Sequence, residues 1–359
     1  MNALKSNLVR LTEGWSRLWP SVRKVLFWHP LGKPFAGGKG GRPKLWYRVA
    51  LAIGYRLAIL PIFFAITWVA VLLWMTHPSR HEVTVLPEQF SLAYENVEFT
   101  SADGVTLSGW YLSSLSAADV LQGSNWRKLR PAVVICHDYG AARDQFLYPL
   151  GTQLVAAGYE VLLFDFRGHG ASGDAPVSFG VTEAADVIAA VEFLQHKPGV
   201  DPNRIGVFGT GMGAYAAMLA APRCKGIQCV VAESAYPSVD KMFRRGAQLA
   251  HLPEAAGSSL TWGLSLYFGH RLMDNTAVDA AEDFGNTGIL LVSGADDRRS
   301  PQEDVRSIRT ATHHRAWNMV VNRSGHGQTL YDPATAVLVV QYINTYLTRP
   351  STANETAAR

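Results

Sequence analysis

The sequence predicts an α/β domain, a mostly parallel sheet with helices on both faces, preceded by one membrane-crossing helix. Three observations predict it. Residues 57–76 (LAILPIFFAITWVAVLLWMT) run twenty positions without a charge. From about residue 90 onward, short apolar strand-like runs alternate with helical stretches, the pattern of parallel strands joined by crossover helices. The composition, 48% hydrophobic and 17% charged over 359 residues, is too apolar for a disordered chain and supplies a large core.

The apolar run comes first. As a helix it spans roughly 30 Å, the hydrocarbon thickness of a bilayer. Trp46 and Tyr47 precede it and Trp74 closes it, where interfacial aromatics belong. Arg56 is placed to snorkel, and the apolar run from residue 49 extends the helix, so the membrane segment is read as 49–76. A soluble core helix is seldom apolar all round for so long. A cleaved signal peptide would need an n-region of over fifty residues, and no A-x-A site follows.

The net charge of +4 conceals an asymmetry. Residues 1–48 hold ten basic side chains and one acid, Glu13, whereas the remaining chain carries 23 basic and 28 acidic groups. By the positive-inside rule this places 1–48 in the cytoplasm and the C-terminal body outside it, periplasmic or extracellular. Within residues 5–28, Leu8, Leu11, Trp15, Leu18, Val22 and Val25 recur at helical spacing with basic residues between them. That is either an amphipathic helix on an anionic leaflet or a plain cytoplasmic tail. The glycine-rich stretch 37–41 reads as a flexible link. A net-negative body behind a membrane helix excludes nucleic acid as a partner. Three cysteines, Cys136, Cys224 and Cys229, make no disulfide framework, and no Cys/His cluster has zinc spacing, so no metal is expected.

A short link, 77–90, leads to the body, 91–348, with 349–359 a flexible tail. Residues 96–99 and 105–111 flank Ala102-Asp103-Gly104, a hairpin signal. Residues 132–136 (AVVIC) form the continuous apolar run of a central parallel strand. Then follow a helix over 145–157, a strand over 159–165, a helix over 181–196, a strand over 205–208, a small-residue helix over 213–221 and a strand over 227–232. Residues 236–285 are the least regular, with Leu252-Pro253, Gly257 and an aromatic stretch, and read as a lid or cap. A strand over 288–293, a helix over 302–312, a strand over 317–321 and a helix over 333–347 complete the order. In such sheets, ligands bind at the carboxyl ends of the strands.

The loops at those ends carry a pattern. They read His137-Asp138-Tyr139-Gly140, then Asp165-Phe166-Arg167-Gly168-His169-Gly170-Ala171-Ser172-Gly173, then Gly294-Ala295-Asp296-Asp297 with Pro301 beyond, then Ser324-Gly325-His326-Gly327. Together, over residues 90–348, they resemble the α/β-hydrolase superfamily of serine esterases, lipases and peptidases. The resemblance implies an α/β-hydrolase fold with Asp297 as triad acid and His326 as base, in the chain order nucleophile, acid, histidine. Asp296 is adjacent, and the glycine-to-Asp spacing favours Asp297. The resemblance further implies an oxyanion hole from the backbone N–H groups of Tyr139 and Met212. Because that role needs only backbone, Asp138 in place of the family's common glycine is not expected to disable it. Taken singly, Asp297 also fits a turn or helix cap and His326 a loop histidine. His137, His169 and Arg167 are expected to shape their loops, and Glu233 is a weaker alternative acid.

The chain departs from the family at the nucleophile elbow. Where G-x-S-x-G is expected it reads Gly209-Thr210-Gly211-Met212-Gly213, so Gly211 stands at the serine position and no acyl-enzyme forms there. Glycine also tolerates the strained backbone of an elbow. Thr210, Ser172, Ser234 or a water activated by Asp297 and His326 are the available substitutes. A competing reading takes Gly209, Gly211 and Ala214 as the dinucleotide fingerprint G-x-G-x-x-A, with Glu233 as the ribose acid. It leaves the other three loops unexplained, and no cofactor is expected. Two function classes therefore follow: a hydrolase relative that binds a small-molecule or peptide ligand without serine catalysis, or a hydrolase with a substitute nucleophile.

Overall fold

The computed structural model describes residues 45–114, 129–269, 271–274 and 276–348. The basic segment read over 5–28, the glycine-rich link and the tail at 349–359 lie outside these residues. The chain divides into two compact units between Leu73 and Trp74.

The described residues of the first unit are helical. Helix α1, Leu45–Thr76, has 32 residues and contains Pro61. Its stretch Ile53–Thr76 is long and apolar enough to cross a membrane. Leu57, Ile62, Phe64 and Ile66 all stand exposed along it, as side chains that face lipid would.

In the second unit the strands are β1 (Tyr94–Thr100), β2 (Thr106–Leu112), β3 (Arg130–Cys136), β4 (Glu160–Phe164), β5 (Val200–Thr210), β6 (Ile227–Glu233), β7 (Gly288–Gly294) and β8 (Trp317–Val321). Among the described residues they form one eight-stranded sheet, ordered β1-β2-β4-β3-β5-β6-β7-β8. β1 pairs antiparallel with β2 and β2 with β4, whereas β4, β3, β5, β6, β7 and β8 run parallel. The hairpin read at Asp103-Gly104 is the β1–β2 turn. Central strands are apolar on both faces because helices cover both, and every residue of β7 is buried. The edge strand β8 leaves Trp317 and Val320 exposed. Val133, Ile135, Leu163, Phe208, Val231 and Val292 knit one face of the sheet into a continuous core.

The crossover helices are α2 (Thr152–Ala156), α3 (Glu183–His196), α4 (Met212–Ala220), then α5 (Val239–Leu249), α6 (Glu254–Phe268), α7 (Arg271–Asp274), α8 (Ala277–Glu282), α9 (Gln302–Ala311) and α10 (Pro333–Leu347). The helix expected over 145–157 is mostly broken. Tyr148, preceding Pro149, is extended at φ −118°, ψ 129°, as a residue before proline prefers, and only α2 is regular. Conversely, the segment expected to be irregular, 236–285, is largely helical. Ser238 caps α5 by accepting from Lys241 N, and Val239, Phe243 and Ala247 bury one stripe of it. A Thr276/Asp279 capping box starts α8. Every side chain of α4 (MGAYAAMLA) is buried, because small residues let this helix lie close on the sheet.

Candidate active site

The site lies at the carboxyl ends of β3, β5, β6 and β7. β5 turns into α4 through Gly211, whose backbone sits at φ +51°, ψ −113°. An L side chain is strained there, and glycine holds the turn without that cost. Gly211 N donates to Glu233 O at 3.0 Å, and Gly211 O accepts from Tyr215 N at 3.0 Å, which pins the elbow.

The loop after β7 supplies Asp297. Its Oδ1 accepts from the amides of Arg299 and Ser300 at 2.8 and 2.9 Å, so it does cap the following turn. Its carboxylate also meets His326 Nδ1, at 3.0 Å through Oδ2. The neighbouring Asp296 points to solvent, which separates the two acids the sequence left side by side. His326 arrives on the loop after β8, and Gly327 N donates to Ser234 Oγ at 3.1 Å to hold that loop.

On the other side of the imidazole stands Asp138. Its Oδ2 lies 3.4 Å from His326 Nε2. Its Oδ1 accepts from Tyr139 N at 2.8 Å and from Met212 N at 2.9 Å, the two amides read from the sequence as the oxyanion donors. Gln145 Oε1 in turn accepts from Asp138 N at 2.8 Å. The two amides therefore converge on one point, and this chain's own carboxylate occupies it. The sequence reading considered only the backbone at Asp138; the side chain folds back over its own loop, where two converging amides and an imidazole offer a carboxylate three partners.

The electrostatics follow. Burial disfavours the charged imidazole of His326, but hydrogen bonds and charge from Asp138 and Asp297 outweigh it and raise its pKa to about 10. Burial likewise opposes ionisation of Asp138. The adjacent imidazolium and the amides of Met212 and Tyr139 prevail and hold it below the usual carboxylate range. Asp297 is held down in the same way, with Ser300 N and Ser234 assisting. The resting site is a carboxylate–imidazolium–carboxylate row. An imidazolium bonded on both nitrogens is no base toward a hydroxyl.

The other candidates fall into place. Glu233 is fully buried, and burial pushes its pKa up against bonds from Thr329. Its Oε1 accepts from Thr329 N at 2.7 Å and Thr329 Oγ1 at 2.5 Å. Thr210 is buried against it. Ser234 sits behind His326 on the Asp297 side. Ser172 Oγ donates to Asp165 O at 2.5 Å and accepts from Ser108 N, so it serves the loop. His137 and His169 are buried, and burial lowers their pKa values to about 4 and about 3. His137 Nε2 accepts from Phe166 N and His169 Nε2 from Gly140 N, both loop-shaping bonds. Arg167 bridges Asp186 and Asp103.

The packing around Gly209, Gly211 and Ala214 gives the dinucleotide reading little support. A Cβ on Gly213 would stand 2.6 Å from the carbonyl oxygens of Cys136 and His137, so that glycine serves a backbone crossing. The α4 amide that would meet a phosphate meets the Asp138 carboxylate instead, whose charge repels one. Glu233, the acid of that reading, is buried and bonded to Thr329.

The parallel sheet, the elbow opening a buried helix, and an Asp–His pair on the last two loops define an α/β hydrolase. Within that class the chain belongs to the X-Pro dipeptidyl-peptidase (S15) family, whose sequence profile matches residues 111–341. Among solved structures, the esterase Pf2001 of Pyrococcus furiosus is similar at 27% identity and a TM-score of 0.60, over 75% of this chain and 99% of that one. Among curated proteins, the uncharacterized protein YfhR of Escherichia coli O157:H7 is 30% identical over 148 residues, 40% of this chain and 48% of YfhR. The thiohydrolase aneE of Aspergillus aculeatus is 30% identical over 154 residues, 42% of this chain and 44% of aneE. The chain thus matches about half the length of these curated relatives or less.

Proposed function

We propose that this chain is a membrane-anchored α/β-hydrolase relative from which serine ester, thioester and peptide hydrolysis has been lost. Asp297 and His326 occupy the triad acid and base positions, Tyr139 and Met212 the oxyanion positions, and Gly211 the place of the nucleophile. The observation that carries the reading is the pairing of Gly211 with Asp138. The elbow has no hydroxyl, and a carboxylate occupies both the hole and the exposed nitrogen of the base. Toward acyl ligands such a site binds and does not cleave. The charge-free run 57–76 and the basic head support an anchor with residues 1–48 cytoplasmic and the hydrolase-like domain on the far side.

Turnover of p-nitrophenyl acetate and butyrate by the full chain in detergent tests this. Wild type and His326→Ala are expected to match the buffer rate. Gly211→Ser alone is expected to stay silent, because a Cβ at 211 would stand 2.1 Å from Asp138 Oδ1. Asp138→Gly with Gly211→Ser is expected to gain turnover that His326→Ala removes by at least about 100-fold. Ester turnover by wild type that depends on His326 overturns the reading.

A second reading keeps a working hydrolase with a substitute nucleophile. One observation favours it, the Asp138 oxygen that faces His326.

A further inference from the structure

We infer that the face of the second unit that carries the candidate site, the loops at the carboxyl ends of its parallel strands, lies on the phospholipid headgroups of the membrane, with Arg298, Arg299 and Arg323 taking lipid phosphates. This rests on the membrane anchor proposed above and goes beyond it, because an anchor alone leaves a domain free to turn any face to the leaflet.

The chain leaves the apolar stretch already bonded to that face. The stretch ends at Thr76, and residues from Trp74 onward belong to the second unit. Met75 O accepts from Tyr139 Oη at 2.8 Å, and Thr76 O accepts from Val177 N at 2.8 Å. Tyr139 stands on the loop after β3 and Val177 on the loop after β4. The contacts continue without slack. The Arg80 guanidinium donates to Gly170 O and Ser172 O, and Thr84 N and Val85 N donate to Asp144 Oδ2 at 2.9 and 3.2 Å. The headgroup layer on each side of the hydrocarbon is roughly 5–8 Å deep. A hydroxyl bonded to the next-to-last residue of the span therefore lies within it. A tyrosine suits that depth, with an apolar ring and a polar tip.

The far side of the same face carries the charge. β8 lies five places from β4 in the sheet, roughly 24 Å at the spacing of paired strands. The loops after β7 and β8 hold Arg298, Arg299 and Arg323, all exposed. Among the described residues none of these three guanidinium groups is paired with a carboxylate. Asp296 is the one exposed acid in the two loops, since Asp297 is buried against His326. The next acids along the chain, Glu303 and Asp304, are already answered by Arg245 and Lys241. The chain beyond residue 48 holds 23 basic against 28 acidic groups, so the excess of positive charge here is local. A guanidinium presents a planar fork that takes a phosphate through two bonds. Headgroups bind exposed loops of this kind and need no cavity.

Amide hydrogen exchange of the full chain tests this, in detergent and in lipid nanodiscs of equal parts phosphatidylcholine and phosphatidylglycerol. Exchange through residues 295–300 and 322–328 is expected to slow at least about fivefold in the discs, the weight of a single arginine at an anionic surface. Residues 224–226 and 285–287, which precede β6 and β7, are expected to exchange alike in both. Arg298→Ala/Arg299→Ala/Arg323→Ala is expected to return the two loops to the detergent rate. Wild type in discs at about 1 M salt, where the screening length falls to ~3 Å, is expected to do the same, and that arm stands without the variant. Alkaline carbonate extraction of wild-type vesicles reads the anchor separately. If the chain resists carbonate and the two loops exchange alike in discs and detergent, the anchor stands and this proposal is overturned. If carbonate releases the chain, the anchor fails and takes this proposal with it. Protection that appears in detergent and grows with protein concentration places a second copy on this face and likewise overturns the proposal.

Discussion

The Asp138 carboxylate stands where a side chain at position 211 would begin: a Cβ on Gly211 falls 2.1 Å from Asp138 Oδ1. The two residues are 73 positions apart in the sequence and share one small volume above the elbow. A side chain at 211 and a carboxylate at 138 in its present rotamer exclude one another.

That exclusion has an energetic signature. Gly211→Ala in the native chain forces both a strained φ and a collision, and is expected to cost more than about 3 kcal/mol. In an Asp138→Gly background only the strain remains, and the cost is expected to fall by at least about 1 kcal/mol. Thermal unfolding of the full chain in detergent, followed by near-UV circular dichroism, checks the cycle. Additive costs would show that the carboxylate moves aside freely.

The charged row sets a pH dependence. An unfolded histidine titrates near ~6.5, and folded His326 near about 10. Its contribution is therefore fully present below the lower value and is lost as pH rises through the upper one. Asp138 and Asp297 are held below the usual range, so theirs is present above the ordinary carboxylate value of ~4 and lost as pH falls beneath it. The stability gap between wild type and His326→Ala is expected to be widest between about pH 4 and 6.5 and to close by about pH 10. In Asp138→Asn the ring is expected to titrate about a unit or more lower, read from its imidazole NMR shifts.

Glu233 is a structural acceptor. Thr329 N and Oγ1 both donate to its Oε1, and burial favours the neutral acid. Glu233→Gln retains an acceptor of the same shape and is expected to cost less than about 1 kcal/mol. Glu233→Ala strands two buried donors and is expected to cost about 2–4 kcal/mol in the same unfolding measurement.

Residues 75–80 are tied to the site's loops. Tyr139 Oη donates to Met75 O at 2.8 Å, and the Arg80 guanidinium donates to the carbonyls of Gly170 and Ser172 at 2.8 and 2.6 Å. Arg80→Ala is expected to cost about 1 kcal/mol, since the side chain is half exposed. It is also expected to speed amide exchange through residues 167–173. Unchanged exchange there would mean the strap holds nothing.

Much of the fold was legible because periodicity is a local signal. The apolar runs at 132–136, 205–208 and 288–293 mark central strands, since only a strand covered on both faces is apolar throughout. Elements whose stability comes from neighbours were less legible. The helices of the cap lie among proline and glycine signals that suggest loops, and the stretch at 145–157 keeps a helical pattern that Pro149 interrupts. At the site, Asp297 and His326 were nominated by loop order, and their 3.0 Å approach is a product of β7 and β8 lying side by side.

The sequence by itself determined that position 211 offers no hydroxyl, because a glycine has none in any fold. It also determined the apolar helix, the alternating order of strands and helices, and the residue types on each loop, all of which are written in neighbouring positions. Only the tertiary structure decided what fills the space above Gly211. Asp138 looked like a backbone donor's neighbour until β3 and β5 were set side by side, with the elbow above them. Two amides from different loops then converge on one oxygen of its carboxylate, and the imidazole of a third faces the other. A hydrogen-bonding constellation assembled from three loops has no footprint in any one of them.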